Sequence, residues 1–411
     1  MIRQVIQANA MLLFQYAVGS LVPLFLVPHI VKVIGLAEYG HLAVLMAWGN
    51  YGSVVIQYAF QMTGPKRLAS LASGETPASV FIDIAFAKLL LLSLVLPVLA
   101  VFALVSMPLE SVSSFAWVLL FAMPIAVGLN AAWFLQAKGD FFQVCILAII
   151  GSLLTLFIGF RFINTGDSGA VDFAIVVSVF GAVFTGIGTL LLVIFSIKKE
   201  ACAWKLKRAI NALKDGWHLF ISQFVSMLYS ASGPVVINCL LDSKAAGAYS
   251  VTERIFGAFL SAALLTHTAA YPRLASTYVN NRAVYWKILK FILAGYLSVT
   301  TIIAVLAWLL RGHVMKFLYG EINNSHELLL FSGSIWLVMG IFGTALTGYL
   351  TVSGRGREVW PLNLKILILS IVMGIPGVLF FGSAGWLAAL VLSQFLVLQT
   401  GVKYWRREYG Q

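Results

Sequence analysis

Charge is scarce in this chain. Asp, Glu, Lys and Arg together make up 10% of 411 residues, against 61% hydrophobic ones, and the mean hydropathy is +0.95. A soluble fold of that composition would leave apolar surface in water, so the composition indicates a polytopic membrane protein. Cysteine is scarcer still: Cys145, Cys202 and Cys239 show no disulfide or metal-site spacing and read as small core residues. The outer loops lack any Ser/His/Asp, paired-carboxylate or metal-ligand grouping, which argues against an enzyme. A cleavable leader is not expected either. MIRQVIQANA is polar and the apolar run behind it is too long, so the first span is expected to act as its own targeting signal.

What is present is a series of long apolar runs. A bilayer's hydrocarbon takes about 20 helical residues to cross, and twelve runs of that size occur, at approximately 11–34, 41–63, 79–106, 112–136, 141–162, 171–197, 217–240, 248–272, 285–311, 328–352, 357–381 and 383–404. Alternating ten-residue strands, the mark of a closed barrel, are not seen, so the class is all-α. With the N-terminus inside, nineteen of the 27 lysines and arginines fall on the inner side and five on the outer, while Lys88, Arg254 and Lys365 lie within spans. That asymmetry places both termini in the cytoplasm. It also accounts for the net charge of +12 without nucleic-acid binding, since basic loops meet anionic headgroups.

The chain carries one script twice. The turn G-L-A-E-Y-G (35–40) after the first span is echoed by A-A-G-A-Y-S (245–250) after the seventh, at an offset of about 210 residues. Both preceding spans pair Gln with Phe (Phe14-Gln15, Gln223-Phe224) and then meet proline, at Pro23 and Pro28 or at Pro234. The expected division is a six-helix lobe over 1–197, a basic amphipathic surface linker over 198–216, and a second six-helix lobe over 217–411. Two repeated bundles around a central cavity are a transporter architecture.

Gln15, Pro23 and Pro28, then G-L-A-E-Y-G, then VIQYAFQMTGPKRLA (55–69), and later GAYSVTERI (247–255), together resemble the Wzx O-antigen flippases of the multidrug, oligosaccharidyl-lipid and polysaccharide (MOP) exporter superfamily. The resemblance implies twelve helices in a V-shaped, pseudo-two-fold pair of bundles. It also implies transport of undecaprenyl-diphosphate-linked oligosaccharide from the inner to the outer leaflet of the bacterial inner membrane. His29 stands where that family often has Tyr. The fourteen-span lipid II flippases differ in helix number, and GPKRLASLASGE lacks the loop pattern of the major facilitators.

Charged groups inside a span tend to face a wet cavity or a partner. Lys88 lies about ten residues into the third span, on the order of 15 Å along its axis. With Arg254, Lys365 and Lys32 it is a candidate for binding the diphosphate and sugar, since an anion in a low-dielectric space needs fixed cations. Asp83 lies about 140° around the helix from Lys88, a poor angle for pairing. Glu253, Asp83 and His29 are candidates for coupling, Pro23 and Pro28 for a helix that bends as the lobes rock. Lys365 and Lys32 have a plainer reading as snorkelling side chains. Gln57, Asn130, Gln136 and Gln223 could bind sugar hydroxyls. No cofactor or metal is expected, and the driving force stays open between a proton, a sodium ion, the membrane potential and downhill flow coupled to polymerisation outside. Expected partners are membrane lipids, a polysaccharide polymerase and a chain-length regulator. The competing readings are a small-molecule antiporter of the same superfamily and a membrane polymerase or ligase.

Overall fold

The computed structural model describes residues 2–71, 75–106, 114–164, 169–197 and 206–409, and every regular element among them is helical. In order these are α1 (Ile2–Gln57), α2 (Phe60–Ala69), α3 (Pro77–Ser106), α4 (Ser114–Leu129), α5 (Ala132–Lys138), α6 (Phe141–Phe162), α7 (Ala170–Ser196), α8 (Leu206–Ser230), α9 (Gly233–Leu240), α10 (Ser243–Asn280), α11 (Arg282–Leu309), α12 (Arg311–Tyr319), α13 (Asn324–Val352), a 3-10 turn (Gly356–Glu358), α14 (Val359–Phe381) and α15 (Ser383–Tyr409). Ten helical stretches among the described residues are long and apolar enough to cross a membrane. One of them, Phe14–Ala69, holds both the first and the second expected span; its 56 residues amount to about 84 Å of helix, far more than one bilayer. Large apolar side chains point outward, Phe195 at 83%, Phe291 at 81% and Phe380 at 82% exposure, as suits a chain whose solvent is lipid.

The contacts divide the chain into two compact units. Unit one comprises residues 1–19 and 42–231, unit two residues 20–41 and 232–411. This differs from a simple cut at 197 and 217, because the later parts of the first and seventh spans both go to unit two. Residues 198–205 of the expected linker lie outside the described residues. The remainder, 206–216, is the first part of α8: Ala209 and Ala212 belong to the core of unit one, and Gly216 sits under the Tyr58 ring. Small residues on this stripe let the helix approach closely, while Leu206, Ile210 and Trp217 stay exposed.

In unit one, α7 packs on α4, α5 and α6, and α8 on α2 and α3. Its core joins Tyr58, Phe60, Ile84, Trp133, Phe134 and Phe220. The stripe Gly181, Thr185 and Gly188 is architectural: a Cβ on Gly181 would lie 2.8 Å from the Thr155 hydroxyl and one on Gly188 3.0 Å from Leu147.

In unit two, α13 is central to α10, α11 and α15, and α14 packs on α15. The two echoed turns touch each other here. A Cβ on Gly40 would run into the Ser243 carbonyl oxygen, and one on Gly247 would run into that of Leu36. Both Leu36/Ser243 and Gly40/Gly247 are 207 residues apart, so the contact is reciprocal, as about a local two-fold axis. The repeat seen in the sequence is therefore a joint in space.

Proline does not break α1. The chain stays helical through Pro23 and Pro28, and the interruption falls at Gly35, whose φ of 84° and ψ of 165° are open only to a residue without a Cβ. Pro234 sits in the first turn of α9, where a missing N–H costs nothing.

Candidate functional site

Two spans of unit one are interrupted close together. In VIQYAFQ, α1 ends at Gln57, Tyr58 and Ala59 take left-handed conformations (φ 47° and 69°), and α2 restarts at Phe60. Left-handed backbone costs roughly 1–2 kcal/mol for each residue with a Cβ, so the surroundings must hold it. They do: the Tyr58 ring stacks on Phe220 at 4.5 Å, and the buried Ala59 turns its carbonyl to Met62 and Thr63 N–H at 2.9 and 3.1 Å. The second interruption lies between α4 and α5. Asn130 Oδ1 accepts from Ala132 N–H at 2.9 Å, and Ala131 N–H donates to the Thr189 hydroxyl of α7 at 3.1 Å, so donors at the start of α5 are satisfied.

Lys88 of α3 closes the other side of this second break. It is 6% exposed, and its Nζ donates to the carbonyl oxygens of Val127 (3.2 Å), Gly128 (3.3 Å) and Asn130 (2.8 Å). An ammonium has three N–H donors, so each has a carbonyl, and its charge faces the negative end of α4. Lys88 thus offers an anion its positive field; its donors already serve the backbone.

Around this lysine lie two cavities. The smaller, about 40 Å³ and so of the size of a water molecule or two, has a mixed lining, polar at Gln57, Gln61, Lys88 and Asn130 and apolar at Phe60, Val127 and Trp133. The larger, about 230 Å³, is almost wholly apolar, with Phe81, Ile84, Leu89, Leu92 and Leu190 among its walls. Lys88, Asn130 and Trp133 border both. Trp133 is held against α2 because Gly64 leaves room for its ring; a Cβ there would collide with it.

Asp83 shares unit one with this lysine, and the remaining candidate cations, coupling residues and prolines belong to unit two. Asp83 does not reach Lys88; it is 2% exposed and paired with Arg67 at 2.8 Å, and Arg67 also binds Glu75. Glu253 and Arg254 lie in unit two on α10, both half-buried, with the Arg254 guanidinium 5.9 Å from the centre of the Tyr39 ring. Lys32 is exposed and His29 half-buried on the unit-two stretch of α1, and Pro28 is buried. Lys365 is exposed on α14 beside exposed Leu364 and Ile368, as a snorkelling side chain would be. The four expected cations therefore do not share one unit: Lys88 belongs to unit one, and Lys32, Arg254 and Lys365 to unit two.

Of the residues expected to meet sugar hydroxyls, Gln57 and Asn130 line the smaller cavity, whereas Gln61 and the strained Tyr58–Ala59 pair are not signalled by the sequence. The α4–α5 break has a signal in G-L-N-A-A-W, where Gly and Asn follow an apolar helix. Tyr-Ala has none. Among the described residues no cluster of His, Cys, Asp and Glu could hold a metal ion.

Comparison with known proteins agrees with this architecture. Residues 6–278 match the family model described as polysaccharide biosynthesis protein. An Escherichia coli (strain K12) protein described as a candidate O-antigen transporter is 25% identical over 265 residues, 64% of this chain and 63% of that protein, so the match spans somewhat under two thirds of the relative. Among solved structures, the inward closed conformation of the lipid II flippase MurJ superposes with a TM-score of 0.69 at 15% identity, covering 97% of this chain and 87% of that one. The inward-facing form of a multidrug resistance MATE family transporter of the MOP superfamily gives 0.65 at 17% identity, covering 97% and 94%. With the match to the family model extending over well more than half its length, and with the fold of MOP transporters, the chain belongs to the polysaccharide biosynthesis protein family.

Proposed function

We propose that this protein is a flippase that carries an undecaprenyl-diphosphate-linked oligosaccharide, an O-antigen repeat unit, from the inner to the outer leaflet of the bacterial inner membrane by alternating access. The observation that carries this reading is the smaller cavity, with Gln57, Gln61, Asn130 and Lys88 in its lining, at two helix breaks inside an apolar bundle. Interrupted helices are where membrane transporters hold polar cargo. The relative described as a candidate O-antigen transporter supports the same class of cargo. In this reading twelve spans form two six-helix bundles with both termini in the cytoplasm, since Phe14–Ala69 supplies two spans and α10 supplies another. Glu253 is the proposed coupling carboxylate, and a polymerase and chain-length regulator consume the product outside.

A drug antiporter is the second reading, favoured by the fold shared with the MATE transporter. The charges around the cavity oppose it: Asp83 is neutralised by Arg67, whereas Lys88 meets only neutral carbonyls, so the site favours an anion. Cells lacking the protein are expected to accumulate undecaprenyl-linked oligosaccharide on the inner leaflet with unchanged drug sensitivity. Altered drug sensitivity without accumulation would overturn the proposal.

A further inference from the structure

The smaller cavity has a counterpart that a sugar does not explain. Behind Lys88 and Asn130 lies the apolar space of about 230 Å³, formed by α3, α4, α5 and α7. Protein interiors are packed to crystal density, and voids of this size are uncommon. An apolar cavity of about 150 Å³ is enough to take up benzene, so this one has room for a branched hydrocarbon of about ten carbons. Its edge includes Leu89, 60% exposed on α3, so the cavity opens at the surface of unit one and a chain can enter there.

We propose that this cavity is an isoprenoid-binding site, holding the first two isoprene units of the carrier whose diphosphate and sugar lie on the polar side of Lys88. The inference rests on the flippase reading and adds to it the place where the tail is gripped. Three features fit. The two cavities share Lys88, Asn130 and Trp133 as a common wall, so a hydrocarbon held in the larger one ends beside the polar groups that line the smaller. A cation stands at that wall, where the diphosphate joins head to tail. The carboxamides of Gln57 and Gln61 remain on the head side to donate hydrogen bonds, which the ammonium, occupied by three carbonyls, does not. A phospholipid acyl chain is the other source of a hydrocarbon, and the experiment separates the two.

The test uses the full-length protein in nanodiscs and three probes: a ten-carbon isoprenyl diphosphate, inorganic diphosphate, and phosphatidylglycerol as competitor. The isoprenyl compound is expected to bind at least about tenfold more tightly than inorganic diphosphate. Ala85→Trp, which fills the cavity, is expected to abolish that gain and to leave inorganic diphosphate affinity within twofold. Leu89→Trp, at the exposed mouth, should do the same and stands in if Ala85→Trp does not fold. Equal binding of the two diphosphates by the wild type, unchanged isoprenyl binding in both variants, or full displacement by phosphatidylglycerol overturns the isoprenoid site. None of those results touches the flippase reading, which depends on oligosaccharide accumulation in cells lacking the protein.

Discussion

Lys88 shows how a single residue can serve a membrane site indirectly. Its depth in the third span makes it a candidate in the sequence, and in the folded chain it makes three hydrogen bonds to the end of α4 and the residue beyond it. Lys88→Met leaves those carbonyls without their donor, and each buried unsatisfied group costs about 1–3 kcal/mol. A loss of at least about 2 kcal/mol in detergent-solubilised unfolding is expected. Lys88→Arg keeps the charge but spreads its donors over a planar fork, so it should recover only part of the loss. A Met variant as stable as the wild type would show that Lys88 does not hold the break. Arg67 offers a companion case. Removing it strands Asp83, 2% exposed, and breaking such a pair costs about 3–5 kcal/mol; Arg67→Ala is expected to be markedly less stable than the double variant Arg67→Ala, Asp83→Asn.

At the scale of elements, the breaks matter more than the helices. Ala59→Gly relieves a left-handed residue with a Cβ, a gain of roughly 1–2 kcal/mol that the extra freedom of the unfolded chain offsets by about 0.5–1. The variant should melt at or slightly above the wild-type temperature; a clear drop would mean that the strain at Ala59 is not real. Pro23 and Pro28 lie within unbroken helix, so replacing both by Ala should leave folding intact, and undiminished oligosaccharide export would end the idea that they form a moving gate. The spans were legible in the sequence because apolar length alone defines them. Lys88 stood out in the sequence because a deep charge is costly, but its three carbonyl partners did not, since they come from another helix. The breaks were harder. Tyr58 and Ala59 adopt their conformation because Phe220 and Gly216, about 160 residues away, stack against the Tyr58 ring, and no local pattern records that. Pro23 and Pro28 do not mark the interruption of α1, which falls at Gly35, because a span tolerates proline when its surroundings satisfy the freed carbonyl.

For the molecule as a whole, the division into units falls within α1 and between α8 and α9. The first and seventh spans both begin in unit one and end in unit two, and the echoed turns that follow them meet at Gly40 and Gly247. The sequence repeat was legible, but its purpose was not, since an echo in order says nothing of contact. Because the meeting is reciprocal, the two glycines guard the same gap. A methyl group at either position must push the opposing backbone away, and once it has been pushed, the second methyl finds the room already made. The penalties of Gly40→Ala and Gly247→Ala should therefore fail to add, the double variant losing little more stability than the worse single one. Evolution would then be free to bulk up this seam in matched steps, or hardly at all.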